Sequence, residues 1–187
     1  MEVSIRTASI VSGASLAVMA VLAPLGVMLA LPAGHTRLAA LIVLLVAALD
    51  VVIAVALYPV LRSGGTLLAA LSAAMRLAYA PIFAVAAGTL ALGHVEDFQS
   101  IWDAGLLLFG AHLMLAGIAI VRSQTIPTWL GALVQLAGFG YVFDACLVLL
   151  NPAATLRLGE FVFVGEVVLF IWLLGWSGRT RNKQRDC

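Results

Sequence analysis

The chain has 187 residues, of which 64% are hydrophobic and only 10% are charged, and its formal net charge is +1. Soluble domains are roughly half apolar and about a quarter charged. This composition, with a mean hydropathy of +1.14, excludes a cytosolic enzyme, a nucleic-acid binder and a secreted disulfide-rich domain. It indicates an integral membrane protein whose main partner is the lipid bilayer.

Six apolar stretches are long enough to cross a membrane as helices, because a hydrocarbon core of about 30 Å takes roughly 20 helical residues. Their long, continuous apolar runs favour helices over the alternating strands of a membrane β-barrel. The sequence therefore predicts an all-α polytopic protein, a single bundle of six transmembrane helices over residues 1–178 with a short basic tail at 179–187. The predicted spans are about 9–31, 38–61, 66–92, 101–121, 127–150 and 157–176.

Several span boundaries follow from local sequence signals. The first span ends near Leu31-Pro32-Ala33, which resembles a signal-peptide cleavage site. Its apolar region of about 23 residues is longer than the roughly 7–15 of a signal peptide, so we expect it to be retained. A polar break over residues 93–100 precedes the fourth span. Pro127 is expected to be the first residue of the fifth helix, a position that proline favours.

The basic residues predict the orientation of the bundle. With six spans, the N-terminus, the second and fourth loops and the C-terminus lie on one side of the membrane. That side carries Arg6, Arg62, Arg122, Arg179, Arg181, Lys183 and Arg185. The other side carries only Arg37 and Arg157, together with the acidic residues Glu96 and Asp97. Because all loops are short, the positive-inside rule places both termini in the cytoplasm of a multi-pass protein of the cell membrane.

Four predicted spans each contain one ionisable residue near the middle of the membrane: Asp50, Arg76, His112 and Glu166. An unpaired charge at a helix centre costs roughly 2.5–3.5 kcal/mol on insertion scales. These side chains must therefore face the bundle interior, and we expect them to form one buried polar cluster. Residues that could extend this cluster are Tyr58, Tyr79, Gln135, Asp103 and Asp144.

The predicted cluster has an unbalanced charge. Two carboxylates and one guanidinium, with His112 neutral, carry a charge of −1, and one added proton on His112 or on a carboxyl makes the cluster neutral. Burial favours the neutral total, so the cluster is predicted to hold one exchangeable proton. An equally valid interpretation is an ionic lock, in which Arg76 holds the two carboxylates and His112 only forms hydrogen bonds.

Other features of the spans have simpler interpretations. Six glycines are expected to allow close helix packing: Gly105, Gly110, Gly117, Gly131, Gly138 and Gly140. No metal or cofactor site is predicted, because a single midplane histidine cannot provide a bis-histidine haem site and no cysteine–histidine spacing suits zinc. No phosphate-binding loop, dinucleotide-binding turn or nucleophile elbow occurs.

Several segments of the chain resemble a bacterial membrane family known as domain of unknown function 4386. The segments are Asp50–Arg62, Met75-Arg76-Leu77, Leu108–Leu113, Arg122–Gly131, Gly140-Tyr141 and Val164-Gly165-Glu166. The resemblance covers about residues 40–176, and it is the order and spacing of these short pieces that make it specific. It implies a six-helix membrane architecture without an established activity, and it places Asp50, Arg76, His112 and Glu166 at motif positions. Members often have a basic residue after the proline, where this chain has Thr128.

Three functions are compatible with this sequence. The first is binding or translocation of a small solute or ion at the polar cluster, coupled to protons. Midplane sites are common in transporters, and the small size of the chain then predicts a homodimer. The second is an intramembrane enzyme that uses a carboxyl general acid on a lipid or isoprenoid, which requires an apolar pocket that reaches the cluster. The third is an accessory or scaffold subunit in which the cluster is an ionic lock.

Overall fold

The computed structural model describes residues 4–123, 125–151, 154, 156–159 and 164–175. Over these residues the protein is all-helical and has no strand, which confirms the predicted fold class. We number the helices α1 to α6 along the chain. They span Ile5–Pro24 (α1), Thr36–Leu61 (α2), Thr66–Ala91 (α3), Val95–Arg122 (α4), Thr128–Leu150 (α5) and Val164–Gly175 (α6).

The helices have the length and composition of a membrane protein. α1 continues beyond Pro24 as a π-helical turn over Leu25–Ala30, and together they form one apolar segment of 26 residues. Within the described residues, five helical segments are long and apolar enough to cross a membrane. α6, with 12 residues, is also apolar.

The helices pack in a closed ring that follows the order of the chain. Each of α1 to α5 packs against the next helix, and α6 packs against both α5 and α1. Because short turns join α1 to α5, these helices run alternately in opposite directions across the ring. Every helix therefore has one side facing a common interior, and the candidate site lies there.

Glycines hold α4 and α5 close together, as the sequence predicts. A Cβ atom on Gly110 would lie 2.6 Å from the carbonyl oxygen of Gly138, and one on Gly117 would lie 2.7 Å from that of Gly131. Real Cβ atoms do not approach backbone oxygens so closely. These two facing pairs, one near the middle and one near the end of the helices, therefore allow the backbones to touch.

Several helix boundaries differ from the sequence-based expectation, including the starts of α4, α5 and α6. α4 begins at Val95, inside the predicted polar break, and its acidic first turn with Glu96 and Asp97 favours a helix N-terminus. Pro127 precedes α5 as its cap, so the first helical residue is Thr128. Residues 156–158 are not helical, so Arg157 lies before the last helix rather than inside it. The basic tail at 179–187 lies outside the described residues.

Candidate functional site

An ion pair between α2 and α3 lies in the interior of the helix ring. Nε of Arg76 donates to Oδ1 of Asp50 at 2.8 Å, and Nη2 of Arg76 lies 2.6 Å from the same oxygen. Both side chains are only 1% exposed. Hydrogen bonds to an ionised group are stronger than neutral ones, and at this burial neither charge has access to water. The structure thus brings together two of the four residues that the sequence singles out.

His112 of α4 joins the pair in one defined tautomer. Its Nδ1 lies 2.8 Å from the backbone carbonyl oxygen of Ser72, and its Nε2 lies 3.1 Å from Nη1 of Arg76. A carbonyl oxygen only accepts and a guanidinium only donates. Nδ1 therefore carries the hydrogen and Nε2 accepts from Arg76, which is the pattern of a neutral imidazole. In this arrangement His112 carries no charge.

We expect nitrogen NMR to show this tautomer directly. In protein labelled with ¹⁵N at histidine and studied at pH 7, Nδ1 of His112 should resonate as a protonated, pyrrole-type nitrogen and Nε2 as a bare, pyridine-type nitrogen. His35 and His94 lie outside the ring interior and serve as internal references. Two pyrrole-type nitrogens on His112, or the opposite tautomer, would contradict the assigned hydrogen bonds.

Three side chains without a predicted role complete the surroundings of Arg76 and His112. Nη2 of Arg76 lies 3.7 Å from the sulfur of Met19 in α1, and the guanidinium carbon lies 5.1 Å from the ring centre of Phe109 in α4. Ser72 precedes Arg76 by one helical turn, and its hydroxyl lies 2.9 Å from Nδ1 of His112. The spacing of four residues could have indicated Ser72, whereas Met19 and Phe109 have no comparable signal.

Glu166 of α6 faces the hydroxyl group of Tyr141 in α5, and its charged neighbours are Arg76 and Asp50. Unlike Asp50, the side chain of Glu166 is only half-buried. With Glu166 and Tyr141, each of the six helices contributes at least one side chain to the ring interior. We call these residues the central cluster: Met19, Asp50, Arg76, His112, Tyr141 and Glu166.

Of three predicted extensions of the central cluster, Tyr79 lies beside it, whereas Tyr58 and Gln135 pack elsewhere. Tyr79 is 4% exposed and its ring packs 5.1 Å from that of Phe109, so it lies beside the cluster. Tyr58 packs against the apolar core, and Gln135 packs against Gly117 at the contact between α4 and α5. Within the described part of the chain, neither Tyr58 nor Gln135 forms a hydrogen bond with the cluster.

The other two predicted extensions, Asp103 and Asp144, bind partners outside the central cluster. Oδ2 of Asp103 lies 3.5 Å from Nη2 of Arg157, and Oδ1 accepts from Gln99 at 3.2 Å. The two oxygens of Asp144 accept from the backbone N–H groups of Leu158 and Gly159, at 2.8 and 2.7 Å. Asp144 therefore anchors the segment that leads into α6.

Replacing Asp144 should loosen this anchor. Asp144→Ala leaves two backbone N–H groups without acceptors, so we expect a loss of about 1–3 kcal/mol in the free energy of unfolding. Asp144→Asn keeps one carbonyl oxygen and should lose less. Thermal unfolding in detergent, followed by circular dichroism, measures both. Glu96→Gln, at an exposed position of α4, is the control, and a loss for Asp144→Ala no larger than for this control would contradict the assigned role.

The structure also bears on ligand binding elsewhere in the molecule. Among the described residues, no group of three histidine, cysteine, aspartate or glutamate side chains is arranged to hold a metal ion. Two shallow surface grooves lie where α1 meets the start of α2, around His35 and Leu38, and neither includes a residue of the central cluster.

Comparisons with known proteins agree with the family resemblance of the sequence. The profile of the family described as "Domain of unknown function (DUF4386)" matches residues 86–175, which include His112, Tyr141 and Glu166. An uncharacterized protein of Archaeoglobus fulgidus is 38% identical over 135 residues, which cover 71% of this chain and 79% of the relative. Because this relative is archaeal, similar proteins are not confined to bacteria. No solved structure matches the chain.

Proposed function

The chain belongs to the family of domain of unknown function 4386, and we propose that its central cluster binds or translocates a small solute or ion, coupled to protons. The observation that carries this proposal is an ion pair with an additional carboxyl in the interior of a ring of apolar helices. Ionisable residues inside membrane proteins are costly, and they commonly mark ion pathways, proton relays or substrate sites. Transporter sites commonly lie near the membrane midplane. The residues of this cluster are predicted near the midplane from their positions within the apolar spans.

The charges of the cluster support a functional rather than a purely stabilising role. Arg76 and Asp50 balance each other, and His112 is neutral in its assigned tautomer. Glu166 is therefore not needed to neutralise the guanidinium. An acidic group inside the ring in excess of the local positive charge is unfavourable for stability alone, whereas it is useful in a protein that takes up a proton or a cation.

Uptake into proteoliposomes tests the proposed function. The purified protein is reconstituted with a trapped pH-sensitive dye, and Na⁺, K⁺ or Cl⁻ is added outside with and without a pH gradient. We expect proton movement that depends on one of these ions and that Asp50→Asn and Glu166→Gln abolish. Asp97→Asn, at an exposed position near the start of α4, is the matched carboxyl control. Flux that is unaffected by both cluster variants, or equal to that of empty liposomes, contradicts the proposal.

The proposal includes insertion in the cell membrane with both termini in the cytoplasm. This orientation is supported by the positions of the basic residues and by the short turns between α1 and α5. Single cysteines introduced at Ser63 and at Gly93, in a background without Cys146 and Cys187, test it. A membrane-impermeant thiol reagent added to intact cells should label position 93 but not position 63, and the reverse pattern would contradict the orientation.

A homodimer is also part of the proposal, because 187 residues are few for a transporter. Cross-linking in native membranes and the mass of the protein in detergent, after correction for bound detergent, measure the oligomeric state. A monomer in both measurements would contradict this part of the proposal and leave the role of the central cluster unaffected.

An accessory subunit with an ionic lock is the second candidate, and one observation favours it. Every nitrogen of the Arg76 guanidinium has a partner, and Asp50, Arg76 and His112 are each 1% exposed. Such a connected network rigidifies the contacts between helices. The ionic lock predicts that no ion, lipid or change of pH raises the melting temperature through the cluster, whereas transport predicts stabilisation by the transported species.

A further inference from the structure

The two carboxyl groups of the central cluster have different surroundings. Asp50 is 1% exposed, and its Oδ1 is held by two nitrogens of Arg76. Glu166 is half-buried, and the group that faces it is the hydroxyl of Tyr141. Asp50 is therefore held by a charged partner, whereas the nearest partner of Glu166 is a neutral hydroxyl group.

The partners of Glu166 can be named from each helix around it. α6 packs against α5 and α1. The group that α5 places next to Glu166 is the hydroxyl of Tyr141. The ionisable side chain of α1 is Arg6, which donates to the carbonyl oxygen of Leu174, eight residues after Glu166. Across the ring interior the charged neighbours of Glu166 are Arg76 and Asp50. These two charges cancel each other, so Glu166 alone changes the net charge of the interior.

Tyr141 is suited to serve both charge states of Glu166. Its hydroxyl donates a hydrogen bond to a carboxylate, and after rotation it accepts one from a protonated carboxyl. Asp144 lies three residues further along α5 and is among the electrostatic neighbours of Tyr141. Asp144 accepts from the backbone N–H groups of Leu158 and Gly159, in the segment between α5 and α6. Asp144, Tyr141 and Glu166 therefore form a polar series from the end of α5 to the ring interior.

We propose that Glu166, with Tyr141 as its partner, is the exchangeable proton site of the protein, and that Asp50, Arg76 and His112 form a fixed scaffold beside it. The carboxylate of Glu166 takes a proton from a hydronium ion and releases water, and the reverse step returns the proton. The net charge of the cluster changes from −1 to zero. This inference deepens the proposed function and rests on it, since it makes the proton the coupling ion.

Infrared difference spectroscopy of the reconstituted full-length protein tests the proposal without a transport assay. Stepping the pH across the acidic to neutral range should reveal the carbonyl stretch of a protonated carboxyl that Glu166→Gln abolishes. Tyr141→Phe should shift the band, because the hydroxyl partner is lost. In Asp50→Asn the ionised Glu166 balances Arg76, so the same band should appear only at lower pH. Glu96→Gln, which removes an exposed carboxyl, should leave the band unchanged. Circular dichroism and a single gel-filtration peak show whether each variant is folded.

The outcomes separate this inference from the proposed function. A band that persists in Glu166→Gln, a band that only Asp50→Asn removes, or the absence of any such band in the wild type overturns the proton site. If Glu166→Gln does not fold, Glu166→Asp and Tyr141→Phe decide instead, because the site requires both to shift the band. A band with the expected behaviour in a protein that moves no ion supports the proton site and contradicts the transport function.

Discussion

Replacing Arg76 by methionine is expected to lower the free energy of unfolding by about 3–5 kcal/mol, the range for removing one partner of a buried ion pair. The variant leaves the carboxylate of Asp50 in an interior where its side chain is 1% exposed. It also removes the hydrogen bond that Nε2 of His112 accepts. Methionine keeps much of the apolar volume, so the loss reports the charge rather than a cavity. Unfolding in mixed detergent micelles, followed by circular dichroism, measures the change.

Two further variants identify the cause of this loss. Arg157→Met removes the partner of Asp103 from a pair in which Arg157 is 30% exposed, and it should cost less than about 1 kcal/mol. The double variant Asp50→Leu/Arg76→Met removes both charges together and should be clearly more stable than Arg76→Met alone. A single variant as stable as Arg157→Met, or a double variant less stable than either single one, would contradict a buried ion pair in the ring.

Replacing Gly110 by leucine is expected to separate α4 from α5. A Cβ at this position would lie 2.6 Å from the carbonyl oxygen of Gly138 and 2.8 Å from the backbone nitrogen of Val142. Backbone atoms cannot rotate away as a flexible side chain can, so the helices must move apart. Overpacking of a tight contact typically costs about 1–3 kcal/mol, and we expect at least this loss in the same micelle assay.

Gly88 of α3 provides the matched control for Gly110. It also lies within a helix, but no atom would lie within 4 Å of an added Cβ. Gly88→Ala should therefore leave stability unchanged or raise it slightly, because alanine is the better helix former by up to about 1 kcal/mol. Gly110→Ala should already be destabilising. Equal effects of alanine at the two positions would mean that α4 and α5 are not in backbone contact.

The candidate site shows how far sequence reasoning reaches. The sequence singles out Asp50, Arg76, His112 and Glu166 because an ionisable residue in an apolar span needs a partner in the bundle interior. Hydropathy does not reveal Met19 or Phe109, since a residue that is apolar in lipid looks the same as one that contacts a guanidinium. Tyr141 belongs to a segment that carries the family resemblance, yet only its position opposite Glu166 gives it a role.

The partners of Asp144 in the structure differ from those that the sequence predicts. Its place near the end of the fifth span makes it a candidate extension of the cluster. In the structure its oxygens accept backbone N–H groups of a segment 14 and 15 residues further along the chain. No periodicity predicts such a contact, because it depends on how the chain returns from α5 to α6.

The sequence by itself determined that the protein lies in a membrane, that it is all-helical, and which ionisable residues need a partner inside the bundle. These properties depend on composition and local hydropathy. Only the tertiary structure decided the closed order of the helices, the pairing of Arg76 with Asp50 and the tautomer of His112. Each of these depends on distances between helices that are far apart in the chain. The low charge content of the sequence indicates a membrane protein, and the ring of helices brings its central charges into contact.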